Sequence, residues 1–157
     1  VDAVTRSLPA SSSEAAREAL LDARRGLRDR RQARADGFRL AVCTNKIEPH
    51  AVELLDRLGI GHRFAAICGR ETFPFFKPDP RHITHTIERA GGDPARAVMV
   101  GDSRADIDAA KAAGIPVVGV TFGYTDTPVG ELGADRVIDH YSELVGAVEA
   151  LLLRKAA

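Results

Sequence analysis

Two carboxylates that follow an apolar segment are the strongest chemical signal in this sequence. The segment 97–101 ends in a glycine, Asp102 comes directly after it, and Asp106 follows four residues later. A glycine lets the backbone turn sharply, so Asp102 is expected to point into a cleft with Asp106 close by. This arrangement suits Mg²⁺, which binds one or two protein carboxylates together with substrate phosphate and water. The same residues could instead cap a helix and complement its dipole, and the spacing does not decide between the two interpretations.

Thr44, Asn45 and Lys77 could bind a phosphate group. Thr44 and Asn45 directly follow the apolar run 39–43, where a hydroxyl and backbone N–H groups can hold phosphate oxygens. Both residue types also favour turns and helix caps. Lys77 is one of only four lysines in the chain and lies in a proline-rich loop that restricts its backbone. Its ammonium would neutralise a phosphate there, and an ordinary surface lysine is the alternative interpretation.

Two histidines and two cysteines have simpler interpretations. His82 and His85 share one helical face, but no third metal ligand at suitable spacing is visible, so both are predicted to face solvent. Cys43 and Cys68 each close a short apolar run and are predicted to be buried, free thiols. Free thiols and the lack of a signal-peptide pattern predict a cytoplasmic protein.

Apolar runs alternate with amphipathic helical segments from residue 37 onward. The runs are residues 39–43, 64–68, 97–101, 116–122 and 136–139. Continuous apolar strands separated by helices predict an α/β fold, with a doubly wound parallel sheet covered on both faces. Ligands bind at the carboxyl ends of the strands in such sheets, so Thr44, Lys77 and Asp102 are expected to lie together there.

Residues 1–36 differ from the rest of the chain. They contain no strand-like apolar run, and helical spacing over 16–27 predicts a weak amphipathic helix. We therefore assign 1–36 as an N-terminal helical segment and 37–157 as the core. Lys and Arg number 22, as do Asp and Glu, so no general attraction to nucleic acid or an anionic membrane is expected. No apolar stretch reaches the roughly 18 residues of a membrane span.

The order of Thr44, then Lys77-Pro78, then Gly-Asp-Ser-Arg-Ala-Asp at 101–106 resembles the haloacid dehalogenase superfamily of phosphatases. The stretches that closely resemble its bacterial phosphoglycolate phosphatases are residues 36–46, 72–80, 97–126 and 134–141. The resemblance implies a Rossmann-like core and a Mg²⁺-dependent hydrolase of small phosphomonoesters, with 2-phosphoglycolate as the first candidate substrate. In the family an aspartate attacks the phosphate, and water then hydrolyses the aspartyl-phosphate.

The resemblance also implies a role for each candidate residue. Thr44 would hydrogen-bond the transferring phosphoryl group with help from the Asn45 backbone, and Lys77 would neutralise its charge. Asp102 would bind Mg²⁺, and Asp106 would support the ion indirectly or through a water molecule.

The beginning of the sequence departs from the family pattern. The family opens with an apolar strand ending in Asp-x-Asp-Gly-Thr, whose first Asp is the nucleophile and whose second is the general acid/base. The one Asp-x-Asp here is Asp106-Ile107-Asp108, inside a predicted helix. We therefore expect a truncated, inactive chain that lacks the nucleophile, the cap domain and the central first strand. Two strands with unpaired edges would then remain, and they could pair with a second copy in a homo-oligomer.

Other functions stay open beside an incomplete phosphatase. The main alternative is a non-catalytic regulatory module that keeps a cleft for phosphate and Mg²⁺. A response-regulator receiver is also doubly wound, but its acidic residues precede its Thr and Lys. Here Thr44 and Lys77 precede Asp102, which disfavours that function.

Overall fold

The computed structural model describes residues 3–6, 38–123 and 125–156, so the helix predicted over 16–27 lies outside the described residues. The strands are β1 (Ala3–Arg6), β2 (Arg39–Cys43), β3 (Ala66–Cys68), β4 (Ala97–Gly101), β5 (Val117–Val120) and β6 (Arg136–Ile138). The helices are α1 (Glu48–Arg57), α2 (Pro80–Arg89), α3 (Arg104–Ala112) and α4 (Leu144–Ala156). Strands and helices alternate from β2 to β5, as the apolar pattern predicts.

The strands form one 6-stranded parallel sheet in the order β3-β2-β1-β4-β5-β6. Successive residues of β4 face opposite sides of the sheet: Met99 packs with α2 and α3, whereas Val98 and Val100 pack against α4. Val42 of β2 packs against α1 and shares the side of Val100, because both are in register with Arg6. Helices therefore cover both faces, and the predicted doubly wound parallel sheet is confirmed.

β1 occupies the centre of the sheet between β2 and β4, so the expectation that the central first strand is missing is wrong. Val4 is in register with Leu40 on one side and with Val98 on the other. The four residues of β1, Ala-Val-Thr-Arg, include two apolar ones, too weak a pattern to predict a strand. Without β1, the backbone groups of two buried strands would lack partners, and this tertiary demand outweighs the local signal.

The pairing of β1 also removes the reason for expecting a homo-oligomer through unpaired strands. β2 and β4 each pair with β1 along one side, so neither presents an open edge to a second copy there. The outer strands of the sheet are β3 and β6. The assignment of 1–36 as a separate helical segment stays a prediction, although β1 lies within it.

The ends of the helices follow local sequence signals. Gly91 after α2 and Gly114 after α3 have positive φ angles of 70° and 65°, the left-handed conformation that commonly ends a helix. Asp79 and Ser103 cap the first turns of α2 and α3 by accepting backbone hydrogen bonds. These caps start both helices near the carboxyl end of the sheet. None of the helices in the described residues has the length and apolar composition that a membrane span requires.

Val4→Pro tests the central position of β1. Proline removes a backbone donor from a strand that pairs on both sides, and it leaves a neighbouring carbonyl without its hydrogen bond. We expect Val4→Pro to lower the free energy of unfolding by about 2 kcal/mol more than Val4→Ala, which keeps the donor. Urea denaturation measures both variants, and equal losses would contradict a paired central strand.

Candidate active site

Loops at the carboxyl ends of the strands bring the predicted site residues together. Thr44 directly follows β2, Asp102 directly follows β4, and Lys77 lies in the loop between β3 and α2. The Lys77 ammonium lies 2.6 Å from the carbonyl oxygen of Cys43 and 2.6 Å from Asp106 Oδ1. These contacts join the end of β2, the Lys77 loop and the first turn of α3 at one end of the sheet.

Asp106 is the acceptor that connects these segments. Its Oδ1 accepts from Lys77, and its Oδ2 accepts from the Asp102 backbone N–H at 3.2 Å and from the Ser103 hydroxyl at 2.8 Å. Ser103 also donates its backbone N–H to Oδ2 at 3.1 Å, which completes a capping box at the start of α3. Asp106 therefore caps the helix, orients the backbone of Asp102 and pairs with Lys77 at the same time.

The Lys77–Asp106 pair is shielded from water, since each side chain is 1% exposed. Burial opposes the charged form of both groups, but their mutual attraction and hydrogen bonds outweigh it. The pKa of Lys77 is therefore raised above its ordinary value, and the pKa of Asp106 is lowered below its own. Both groups stay charged at neutral pH, so the site contains a fixed ammonium beside a fixed carboxylate.

Thr44 and Asn45 line the end of β2 next to Lys77. Thr44 is buried, its backbone N–H donates to the carbonyl of Cys68 at 3.0 Å, and its Oγ1 accepts from Lys46 N–H at 3.2 Å. A hydroxyl that accepts one hydrogen bond can still donate its own proton, and a phosphate oxygen is an acceptor that it could bind. The Asn45 side chain instead donates to the carbonyl oxygen of Lys77 at 2.9 Å and so holds the Lys77 loop.

Glycines at 101 and 123 allow the backbone to come close to the two carboxylates. A Cβ placed on Gly123 would lie 2.1 Å from Asp102 Cβ, and one on Gly101 would lie 2.4 Å from Asp106 Cβ. Both distances are too short for real atoms, so a larger residue at either position would displace a carboxylate. The sequence-based interpretation gave Gly123 no role. Its place in the loop after β5, at the ligand-binding end of the sheet, is the signal that could have identified it.

His82 is fully buried, so the expectation that it faces solvent is wrong. Its Nδ1 accepts the backbone N–H of Lys77 at 3.2 Å, and its Nε2 lies 3.0 Å from the carbonyl oxygen of Gly69. Burial and the nearby Lys77 ammonium lower the pKa of His82 to about 4, so the ring is neutral at neutral pH. His85 is half-buried and packs edge-on against Phe73, with ring centroids 5.4 Å apart.

Among the described residues at this end of the sheet, Asp102 is a carboxylate that could bind Mg²⁺. Among the side chains that the structure describes, no three His, Cys, Asp or Glu converge to hold a metal ion. Oδ2 of Asp106 already accepts hydrogen bonds from Asp102 and Ser103, so Asp106 is better suited to support Asp102 than to bind the ion itself. One carboxylate completed by water and phosphate is a donor set that Mg²⁺ uses, and the residues present fit a weakly held ion.

A family model described as Haloacid dehalogenase-like hydrolase matches residues 21–120. The chain belongs to this family. The matched region includes β2 to β5 and the loops that carry Thr44, Lys77 and Asp102. The family assignment thus covers the part of the chain in which the candidate site lies.

Curated proteins similar to this chain include phosphoglycolate phosphatases. The one from Mesorhizobium japonicum is 55% identical over 120 residues, which is 76% of this chain and 53% of that protein. The one from Agrobacterium fabrum is 55% identical over 121 residues, which is 77% of this chain and 52% of that protein. The chain therefore spans about half the length of these relatives.

A solved structure supports the same fold. The crystal structure of a predicted phosphoglycolate phosphatase from Haemophilus somnus superposes with a TM-score of 0.72 at 31% sequence identity. The superposition covers 82% of this chain and 55% of that one. The Rossmann-like core expected from the sequence is thereby confirmed.

The carboxyl end of β1 carries no carboxylate. The strand reads Ala-Val-Thr-Arg and is followed in the sequence by Ser7 and Leu8, while Asp2 precedes the strand at its other end. In the family pattern, the nucleophilic aspartate stands at the carboxyl end of this central strand. The residues that directly follow β1 therefore include no aspartate at the place where the family's nucleophile is expected.

Asp106→Asn tests the buried ion pair. The amide keeps the shape of the side chain but leaves the Lys77 ammonium buried without its counter-charge, so the free energy of unfolding should fall by about 3–5 kcal/mol. Asp108→Asn, at an exposed position of the same helix, is the matched control and should change little. The double variant Lys77→Met/Asp106→Asn removes the unpaired ammonium and keeps an acceptor for the donors of Asp102 and Ser103, so it should recover part of the loss. Urea denaturation measures all of these, and equal effects at 106 and 108 would contradict the assignment.

The lowered pKa of His82 predicts that the folded chain loses stability as the pH falls. Its pKa is lowered from 6.5 to about 4 in the folded chain, so between these pH values the unfolded chain binds a proton that the folded chain does not. From this residue alone, the free energy of unfolding should fall by up to about 1.4 kcal/mol for each pH unit between 6.5 and about 4, and no further below that range. Urea denaturation across this range should show a shallower slope for His82→Gln. An unchanged slope would mean that His82 is not held neutral by the fold.

Proposed function

We propose that this chain forms the phosphate-binding part of a haloacid dehalogenase-type site and binds small phosphomonoesters, with 2-phosphoglycolate as the first candidate. The observation that carries the proposal is the buried Lys77 ammonium, held by Cys43 and Asp106 at the carboxyl end of a parallel sheet. A fixed cation at the end of the sheet where ligands bind is suited to an anionic group. The phosphoglycolate phosphatases that match this chain support the substrate class.

Three donors would surround the phosphate. The Thr44 hydroxyl and the Asn45 backbone N–H would bind its oxygens, as neighbours at the end of β2. The Lys77 ammonium has three N–H groups, and its acceptors among the described residues are Cys43 and Asp106. The remaining N–H would donate to the phosphate and offset its charge.

Asp102 would hold Mg²⁺ in this site, and Asp106 would keep the Asp102 backbone in place. When bound, the ion would neutralise charge on the phosphate oxygens. The two carboxylates would therefore have different functions: Asp106 balances the charge of Lys77, and Asp102 binds the ion.

We further propose that this polypeptide does not hydrolyse phosphomonoesters at an enzyme-like rate. Thr44 and Lys77 can bind a phosphoryl group and Asp102 can bind Mg²⁺, but none of them matches the family's nucleophile, and Ser7 and Leu8, which directly follow β1, are not aspartates. Loss of a nucleophile that acts together with its neighbours can lower a rate on the order of a million-fold.

The same observation favours a second candidate function, a regulatory module that binds a phosphorylated molecule without hydrolysing it. Such a module needs the cation and the donors but no nucleophile at β1. An incomplete enzyme and a binding module would therefore share the phosphate site, and they differ in whether a supplied nucleophile restores hydrolysis.

The two thiols support a cytoplasmic location, which we propose. Cys43 and Cys68 are free and buried, as expected from the sequence, and they are directly in register on β2 and β3. Burial raises the pKa of the Cys43 thiol to about 11, so little reactive thiolate forms at neutral pH. Unpaired thiols at such close positions are suited to a reducing compartment.

Phosphate binding should depend on the Thr44 hydroxyl. Thr44→Val removes a hydrogen bond to a charged ligand, so the Kd for inorganic phosphate in the presence of Mg²⁺ should rise at least about tenfold. Thr84→Val, which removes a hydroxyl from the more exposed part of α2, is the matched control and should leave the Kd unchanged. Isothermal titration calorimetry measures both, and no difference between the two variants would contradict the proposed phosphate site.

Hydrolysis should be absent from the same protein. Phosphate release from 2-phosphoglycolate with Mg²⁺ should stay far below the roughly 10 per second of an ordinary enzyme. A turnover of that order, abolished in Asp102→Asn, would reveal a nucleophile elsewhere in the chain. Replacing residues 1–8 with an apolar strand ending in Asp-x-Asp-Gly-Thr should generate Mg²⁺-dependent release if the chain is an incomplete enzyme. Continued inactivity of a folded, phosphate-binding replacement would favour the regulatory module.

A further inference from the structure

The main chain of Lys77 is held on both sides by side chains. Its N–H donates to Nδ1 of His82 at 3.2 Å, and its carbonyl oxygen accepts from Nδ2 of Asn45 at 2.9 Å. These two bonds act on the backbone and are separate from the contacts of the ammonium with Cys43 and Asp106. The side chain of Lys77 therefore starts from a backbone position that other residues determine.

The imidazole of His82 connects Lys77 to the end of β3. Its second nitrogen, Nε2, lies 3.0 Å from the carbonyl oxygen of Gly69, the residue that directly follows β3. A carbonyl can only accept and a backbone N–H can only donate, so Nε2 carries the ring proton and Nδ1 is unprotonated. One neutral ring in one tautomer thus bridges two loops at the carboxyl end of the sheet.

We propose that His82 is a positioning residue of the phosphate site, whose imidazole sets the backbone position of Lys77 by tying it to Gly69. The proposal rests on the proposed phosphate-binding function and adds a residue that does not itself touch the ligand. His82 is fully buried and the ring has a partner at each nitrogen, so it has no freedom to face solvent or bind a metal.

Position 82 requires a side chain that accepts a hydrogen bond from the Lys77 N–H and donates one to the Gly69 carbonyl. An apolar residue of similar size would fill the space but would leave a buried N–H at Lys77 and a buried carbonyl at Gly69 without partners. Glutamine carries both an acceptor and a donor on its terminal amide and is the closest chemical substitute. If position 82 served packing alone, leucine would preserve phosphate binding better than glutamine. If it positions Lys77 through the two hydrogen bonds, glutamine would preserve binding better.

His85 provides a matched control on the same helix. It lies three residues from His82, is half-buried and contacts Phe73 and Phe75, and no hydrogen bond joins it to Lys77 among the contacts that the structure describes. Substitutions of equal chemistry at 82 and 85 therefore separate the effect on Lys77 from the general effect of removing a histidine from α2.

The test combines phosphate affinity with the protonation state of the ring. The Kd for inorganic phosphate with Mg²⁺ is measured by calorimetry at pH 7 for the full chain and for His82→Leu, His82→Gln, His85→Leu and Thr44→Val. We expect His82→Leu to raise the Kd about tenfold or more, the scale at which residues that orient binding groups act, with His82→Gln and His85→Leu close to the wild type. Nitrogen NMR of the wild-type imidazole should show the Nε2-protonated neutral form of His82.

The outcomes distinguish this proposal from the proposed function. A Thr44→Val variant that binds phosphate as well as the wild type would refute the phosphate site itself. Weakened binding in Thr44→Val together with unchanged binding in His82→Leu would refute the positioning role alone. Equal losses in His82→Leu and His82→Gln would also refute it, because glutamine keeps both hydrogen bonds. If His82→Leu fails to fold, the Kd of His82→Gln and the tautomer seen by NMR provide the test. A His82→Gln variant that binds phosphate like the wild type would support the proposal, and an Nδ1-protonated ring would overturn it.

Discussion

The buried ion pair between Lys77 and Asp106 is the interaction on which the rest of the site depends. An ammonium that is almost completely removed from water must have its charge balanced and its donors satisfied. Asp106 supplies the charge, and the carbonyl of Cys43 supplies a second acceptor. Meeting these demands brings together the end of β2, the loop before α2 and the start of α3, which are distant in the sequence. The fold thereby places a cation where a parallel sheet binds its ligands.

The surrounding contacts limit the movement of this pair. Asn45 and His82 hold the backbone of Lys77, while the capping box with Ser103 holds Asp106. The site therefore has a rigid half, built on β2, the Lys77 loop and β4. The other half of a phosphatase site would be the end of the central strand, and there β1 completes the sheet without contributing a carboxylate. In this chain, therefore, the strand that completes the sheet does not supply the carboxylate that would complete a phosphatase site.

Much of the fold follows from local sequence patterns, but two features required the tertiary structure. The runs 39–43 and 97–101 coincide with β2 and β4 because continuous apolar strands suit a sheet covered on both faces. β1 has two apolar residues in four, and it is a strand because two buried neighbours flank it. The sequence predicts His82 at the surface, since helical spacing cannot reveal hydrogen bonds to loops that meet only in the folded chain. The association of Thr44, Lys77 and Asp102 was predictable because parallel strands share one carboxyl end.

A crystal structure of the chain with inorganic phosphate would show directly whether the anion binds beside the Lys77–Asp106 pair. We expect a phosphate oxygen within hydrogen-bond distance of both Thr44 Oγ1 and Lys77 Nζ, with Lys77 still paired to Asp106. A phosphate bound at another place, or an ammonium that leaves Asp106 and turns away from Thr44, would contradict it.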